Sequence, residues 1–538
     1  MAPIIRICRR YSLALLLLCA APSLAAPEPG DLYWDAQRLE LAGQGGAALK
    51  SYAKLLARSP DSEAAASNLL AAAVREGSFD DALTAIRTGQ KAQSADSDAP
   101  LMVFVDAFRR KKWAEASAAV ADLEAKHDFA FMAPMLNGWL NVAQGRASGF
   151  SVSQLMSGGL TAYYGDDQLV YFDLAEGNIA QGKLRLRNFR GYDEPHGRFL
   201  AGHAMGEFAR SGDQEFASAL GRQIGLEQGN YATSKITAEI GLAMMFARLA
   251  IALDEQKQPQ NALYFARLGQ WIAPTSDAAK LSLAELLQRQ GLNEKSAAML
   301  KTVTPNSPFW FQSVVNQTQL ADTPDLAVAI AKTALDTQPQ SAHLKLLYAQ
   351  RLEQASKREL AIPVYRSLLD KDITEGGGSI RAMHLMLLAS ALDASGDWGG
   401  AQKALEEALV LAPKNAQVLN YLGYSLLERR IDVKRGFKLV SRAYELSPQS
   451  AAITDSLGWA HFLRGEIDIA IPLLEAAVKS AIGDVAINEH LGDAYWSAGR
   501  KSEARFAWRA AAVAAEGQVS ERLVQKIDFG WTKETAAP

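Results

Sequence analysis

Cysteine is almost missing from this chain. Its 538 residues hold two, Cys8 and Cys19, both within the first 25 positions. Beyond them no disulfide, thiolate metal site or cysteine nucleophile is available. Basic excess is missing too: 56 Lys and Arg stand against 59 Asp and Glu. The cationic face that nucleic-acid binding needs is therefore not expected. No apolar run approaches the roughly 20 residues of a membrane-spanning helix. With 49% hydrophobic and 21% charged residues, the composition also excludes disorder and collagen-like structure. Enzyme signatures are lacking: there is no G-x-x-x-x-G-K-[ST] loop, H-E-x-x-H, G-x-S-x-G elbow or Cys/His metal spacing. The seven histidines (His127, His196, His203, His343, His384, His461 and His490) are scattered along the chain. No catalytic residue, metal or cofactor is expected, and a small-molecule substrate is not expected either.

The first 25 residues have another character. Arg6, Arg9 and Arg10 precede an apolar stretch from Leu13 to Ala21, and Ser23-Leu24-Ala25 supplies a small-x-small site. This pattern predicts a signal peptide cleaved after Ala25, and a mature chain that is exported or periplasmic, with no stable membrane span. Leu18 puts a bulky residue where a lipidation motif at Cys19 needs a small one. Loss of the leader takes three arginines, leaving the mature chain about six acids in excess.

What is abundant is repetition. Between Ala416 and Ala511 one unit recurs three times: Leu422-Gly423-Tyr424 with Gly436, Val440 and Ala443; Leu457-Gly458-Trp459 with Ala470, Leu474 and Ala477; and Leu491-Gly492-Asp493 with Ala504, Trp508 and Ala511. The small residues let two helices approach closely, and the large one fills the space beside them. The unit resembles the tetratricopeptide repeat, a 34-residue helical hairpin of the W-x2-L-G-x2-Y…A-x3-F…A…P type. The resemblance implies an all-α, right-handed superhelical solenoid of about twelve helix–turn–helix hairpins.

Looser copies extend the pattern over most of the chain. Residues 26–147 read as N-terminal hairpins, 201–375 as a central array and 376–516 as the C-terminal array. Pro60, Pro274, Pro339, Pro413 and Pro448 fall at unit ends. Residues 148–200 are rich in Gly and read as a divergent hairpin with long loops. If an enzymatic activity lay there, Asp166, Asp167 or His196 would carry it. Gly376-Gly377-Gly378 reads as a joint or long turn. Residues 517–538 read as a capping helix, with Val519, Leu523, Val524 and Ile527 on one face, followed by a disordered tail from Trp531.

The resemblance also implies where a partner binds, because first helices of these repeats line a concave groove. Three positions before each central Gly stand Asn420, Asp455 and Glu489; just after it stand Tyr424, Trp459 and Asp493; four after it come Leu427, Phe462 and Trp496. Stacking in register would set a polar row beside an aromatic one. Such a surface suits a protein or peptide. Packing between hairpins is the alternative for the aromatics, and solvation for the acids. A groove that clamps a peptide carboxylate would need Lys, Arg and Asn; only Asn420 conforms, so a neutral or basic segment is the better fit.

The three motifs also resemble the ends of large proteobacterial envelope proteins of this repeat family. Some of those are outer-membrane lipoproteins acting as adaptors for carboxy-terminal processing proteases that trim cell-wall hydrolases. The expected function is accordingly a non-enzymatic periplasmic scaffold or adaptor for envelope proteins, with a processing protease or cell-wall enzymes among the candidate partners. The alternative is a chaperone-like assembly factor for exported or outer-membrane proteins.

Overall fold

A computed structural model describes residues 28–91, 99–126, 129–156, 159–225, 235–369, 377–515, 519–532 and 535. The expected leader and its cleavage site, His127, Gly376 and most of the tail after Thr532 lie outside these residues. Among the described residues the chain forms 29 α-helices and one 3-10 turn, with no strand. Contacts are heaviest between successive helices, which pair as antiparallel hairpins and stack as an all-α solenoid. No helix among them is long and apolar enough to cross a membrane. Contacts gather into two compact units that meet in sequence at Trp310 and Phe311, inside the expected central array.

The second unit shows how the repeat sequence makes its structure. Several of its helices start on a side chain that accepts a backbone N–H the helix cannot satisfy. Asn415 does this for Ala416–Glu428, Asp484 for Val485–Ser497 and Ser520 for Glu521–Phe529. The central glycines then let the paired helices touch. A Cβ at Gly423 would lie 2.8 Å from Val440, at Gly458 2.8 Å from Leu474, and at Gly492 2.3 Å from the Trp508 indole. The recurring Ala443, Ala477 and Ala511 are all buried at the same hairpin seams.

The first unit is less regular. Helix Ala238–Glu255 is apolar on nearly every side and packs on five neighbours, Ala133–Ala143, Gly159–Ala175, Pro195–Arg210, Pro259–Ile272 and Asp277–Arg289. An all-round apolar helix must be buried all round. The Gly-rich segment, expected to be a divergent hairpin with long loops, is more helical than that: Gly159–Ala175 is continuous through Gly165, and Ile179–Asn188 follows it. Tertiary burial overrides propensity there, because Tyr164, Leu169, Val170, Tyr171 and Phe172 all find cover.

A second departure is closure over distance. Arg267, on helix Pro259–Ile272, donates from Nε to the Val74 carbonyl (2.9 Å) and from Nη2 to that of Arg75 (3.3 Å). Trp271 Nε1 donates to the Gly77 carbonyl at 3.3 Å. These are terminal carbonyls of helix Glu63–Glu76, where a cation also meets the negative end of the helix dipole. Burial brings the Arg267 guanidinium down to about 10.

The glycine register generates a direct test. Gly492→Ala should destabilise the second unit by about 1–3 kcal/mol, since the buried Trp508 ring must move. Gly483→Ala, where a Cβ meets nothing within 4 Å, should leave the melting temperature unchanged or slightly raised. Thermal unfolding followed by circular dichroism of the two variants provides the comparison.

Candidate functional site

The expected groove residues converge at the C-terminal end of the second unit, but most of their charge faces inward. Asp455, on helix Ala451–Leu463, is buried, with His490 Nδ1 2.9 Å from both of its oxygens. His490 sits on the next first helix, Val485–Ser497. Glu489, beside it, takes Nε and Nη2 of Arg522 at 2.9 Å each, and Lys526 Nζ at 2.7 Å. Asp493, one turn on, is fully enclosed; it accepts from Trp508 Nε1 at 2.9 Å and from the same Lys526 at 2.7 Å. Lys526 itself has no exposed surface. Arg522 and Lys526 belong to helix Glu521–Phe529, so that helix is fastened by charge as well as by Leu523.

The carboxylates are therefore not a solvated ladder. Burying one unpaired would cost several kcal/mol, and here each has a counter-ion or a strong donor. Burial alone pushes Glu489 up, but Arg522 and Lys526 outweigh it and hold the carboxyl below its usual value. Burial alone pushes His490 down, yet Asp455, aided by Asp493 and Glu489, holds the imidazole above its usual 6.5.

The aromatics pack around this network. Trp459 is buried, stacked on Phe462 (centroids 4.6 Å, 13° between planes) and on His490 (4.2 Å, 16°). A charged imidazole on an indole face is itself favourable. Trp496 is half-buried, 5.5 Å from the Trp508 ring, with Lys501 and Arg505 each 5.1 Å over its face. Tyr424 is half-buried with its ring 6.3 Å from His490, and burial raises its hydroxyl pKa well above the ordinary value. Asn420 is half-buried and its Oδ1 is enclosed without a partner; Trp459 Nε1 is likewise enclosed and unused. One unspent acceptor and one unspent donor thus sit on neighbouring first helices, at two of the expected groove positions.

Two participants escaped the sequence reading. Lys526 was hidden because a lysine in a terminal helix reads as solvated surface; its signal is the matching i, i+4 spacing of Glu489/Asp493 and Arg522/Lys526. Trp531, expected in a disordered tail, packs against the Trp459–Phe462 cluster, with its ring 6.3 Å from that of Phe462 and perpendicular to it.

Asp166, Asp167 and His196 lie in the first unit. Asp166 and the buried Asp167 both pair with Arg248, Asp167 at 2.9 Å, and the Arg248 guanidinium lies 5.2 Å over Tyr163. Burial pushes Asp167 up to about 6. His196 is brought down to about 4 by burial and by Arg248. His461, in the second unit, turns to Glu466 (2.5 Å) and not to His490.

Residues 386–451 and 456–519 match the tetratricopeptide repeat family, so the C-terminal array carries these repeats. A TPR repeat-containing protein of Pseudomonas aeruginosa, PA4667, is 28% identical over 222 residues, which are 40% of this chain and 36% of that protein. The match thus spans little more than a third of that relative. MamA from Desulfovibrio magneticus is similar at 18% identity and a TM-score of 0.27, over 33% of this chain and 97% of its own. Yeast Tom70 is similar at 16% identity and a TM-score of 0.38, over 93% and 94%.

The charge network generates two expectations. Lys526→Met should cost about 3–5 kcal/mol, because it leaves buried carboxylates without their shared cation. Adding Glu489→Gln and Asp493→Asn should recover much of that loss, read as the urea midpoint of the second unit. The pH dependence has two arms of opposite sign. His490, with its folded pKa raised, gives its full contribution below 6.5 and loses it as pH rises through the folded value. Glu489, with its pKa depressed, contributes above 4.5 and loses this as pH falls through its folded value. The stability of this unit should therefore be greatest between those limits, and His490→Gln should flatten the alkaline arm in urea titrations at several pH values.

Proposed function

We propose that this chain, whose C-terminal units are tetratricopeptide repeats, is a non-enzymatic interaction scaffold of the bacterial cell envelope. It would be exported by its N-terminal leader and bind an extended segment of a partner protein on the concave side of its C-terminal hairpins. One observation carries the reading: the groove's charges are spent internally, while Asn420 Oδ1 and Trp459 Nε1 stay unpartnered beside an aromatic surface. An enclosed acceptor and donor are what a peptide backbone can satisfy, and leaving them unmade costs about 1–3 kcal/mol each. Of the neutral and basic segments the sequence allowed, the neutral one fits better, because Asp455, Glu489 and Asp493 are already balanced. Envelope enzymes such as a processing protease or cell-wall hydrolases are the partners that the sequence resemblance suggests for this role.

The test is an affinity capture from periplasmic extract with the mature chain and with an Asn420→Leu/Trp459→Phe variant, followed by titration of the purified partner. The expected result is a discrete partner bound by the first and bound at least roughly tenfold more weakly by the second, a loss of about 1.4 kcal/mol. Equal binding by both would move the site away from the C-terminal groove. A spread of unfolded exported proteins would favour the chaperone-like reading.

A further inference from the structure

The C-terminal segment does something a simple cap does not require. After the last helix, Gly530 turns the chain at φ +97°, a conformation that L side chains rarely adopt, and a Cβ there would lie 2.1 Å from the Trp496 ring. That turn delivers Trp531 onto the aromatic cluster of Trp459 and Phe462, and also against the cluster around Trp508 and Leu523. The ring is well received. Its polar atom is not: Trp531 Nε1 is enclosed without an acceptor, as is Trp459 Nε1 in the same cluster.

Buried indole N–H groups ordinarily find a partner. One idle donor on the seat and one on its occupant mean that the seat fits the occupant's ring better than its hydrogen bonds. Hydrophobic and edge-on aromatic contact holds Trp531 there, and an occupant offering carbonyl oxygens as well would hold better. The neighbouring charges are already paired, so nothing in the seat calls for a charged ligand.

We propose that the seat of Trp531 is a recognition pocket for an aromatic side chain on an uncharged, extended segment of a partner protein. The chain's own Gly530–Trp531 is the occupant that this partner displaces. The inference rests on the proposed scaffold function and adds the partner's chemistry and the closed resting state of the site. A partner presents an aromatic residue to the Trp459–Phe462 stack, a backbone carbonyl takes up the idle Trp459 N–H, and Trp531 swings out with its own.

The test uses the mature chain and a fluorescein-labelled peptide copying residues 528–535 as a stand-in for the partner segment. Trp531→Ala empties the seat. Gly530→Ala keeps the indole but forbids the turn that seats it. Both variants, with helical circular dichroism unchanged, should bind the peptide roughly tenfold or more tightly than the unaltered chain, whose site is mostly closed. A peptide with Ala in place of its Trp should lose that binding. No binding by either variant, or binding indifferent to the peptide's Trp, overturns the proposal. The unaltered chain gives a second reading that needs no variant: saturating peptide should speed hydrogen exchange at the Trp531 indole, and an unchanged rate overturns it. A natural partner captured by the groove whose affinity ignores Gly530→Ala overturns this inference while leaving the scaffold function standing.

Discussion

In a stack of helical hairpins each unit is buried against its neighbours. Here helix Glu521–Phe529 covers the hairpin of Val485–Ser497 and Lys501–Ala514, and one ammonium group holds that contact. Lys526 lies sealed between Glu489 and Asp493, and the rest of the C-terminal architecture follows from that placement. Asp493 can be enclosed because it also receives the Trp508 N–H; Glu489 can be enclosed because Arg522 reaches it from the rim. Asp455 and His490 carry the pairing back one repeat. The result is a run of ion pairs across three successive first helices, from Ala451–Leu463 to Glu521–Phe529. Coulombic attraction in such a place is strong but offsets a large desolvation cost, so the cluster specifies how the helices meet more than it adds net stability.

How much of this was legible in the sequence depends on distance along the chain. Within one 34-residue unit, the glycines at 423, 458 and 492 and the alanines at 443, 477 and 511 marked the seams, and the structure buries them there. The aromatics were legible as a row, but whether Trp459 faced a partner or its neighbours was not. The acids were legible as residues needing a reason. Their counter-ions lay 33 and 37 residues on, in a segment that does not repeat, and register says nothing about such a segment. In the first unit, Gly165 looked like a helix breaker, since local propensity cannot see the buried face that holds Gly159–Ala175 together. The clamp from Arg267 onto Val74 and Arg75 joins residues about 190 apart and leaves no periodic trace.

The same separation governs function. A groove read as acidic from its sequence is, once folded, electrically balanced, with its open hydrogen-bonding capacity confined to a few neutral atoms. In the proposed function, recognition would rest on shape, aromatic contact and backbone hydrogen bonds, and less on charge steering. In the proposed closed state the tail would add control: a scaffold whose site is covered by its own tryptophan would stay inert until a segment of better chemistry arrives.

The sealed lysine is the point on which the account stands, and its amine can be probed directly. The measurement is covalent acetylation of the native protein, with the extent at each lysine read by mass spectrometry. Lys526 should react orders of magnitude more slowly than the exposed Lys479 and Lys501, and only through opening of the cap. Reaction of Lys526 at the pace of those surface lysines would mean that the last helix is not held by the ion cluster, and that the groove is open and acidic after all.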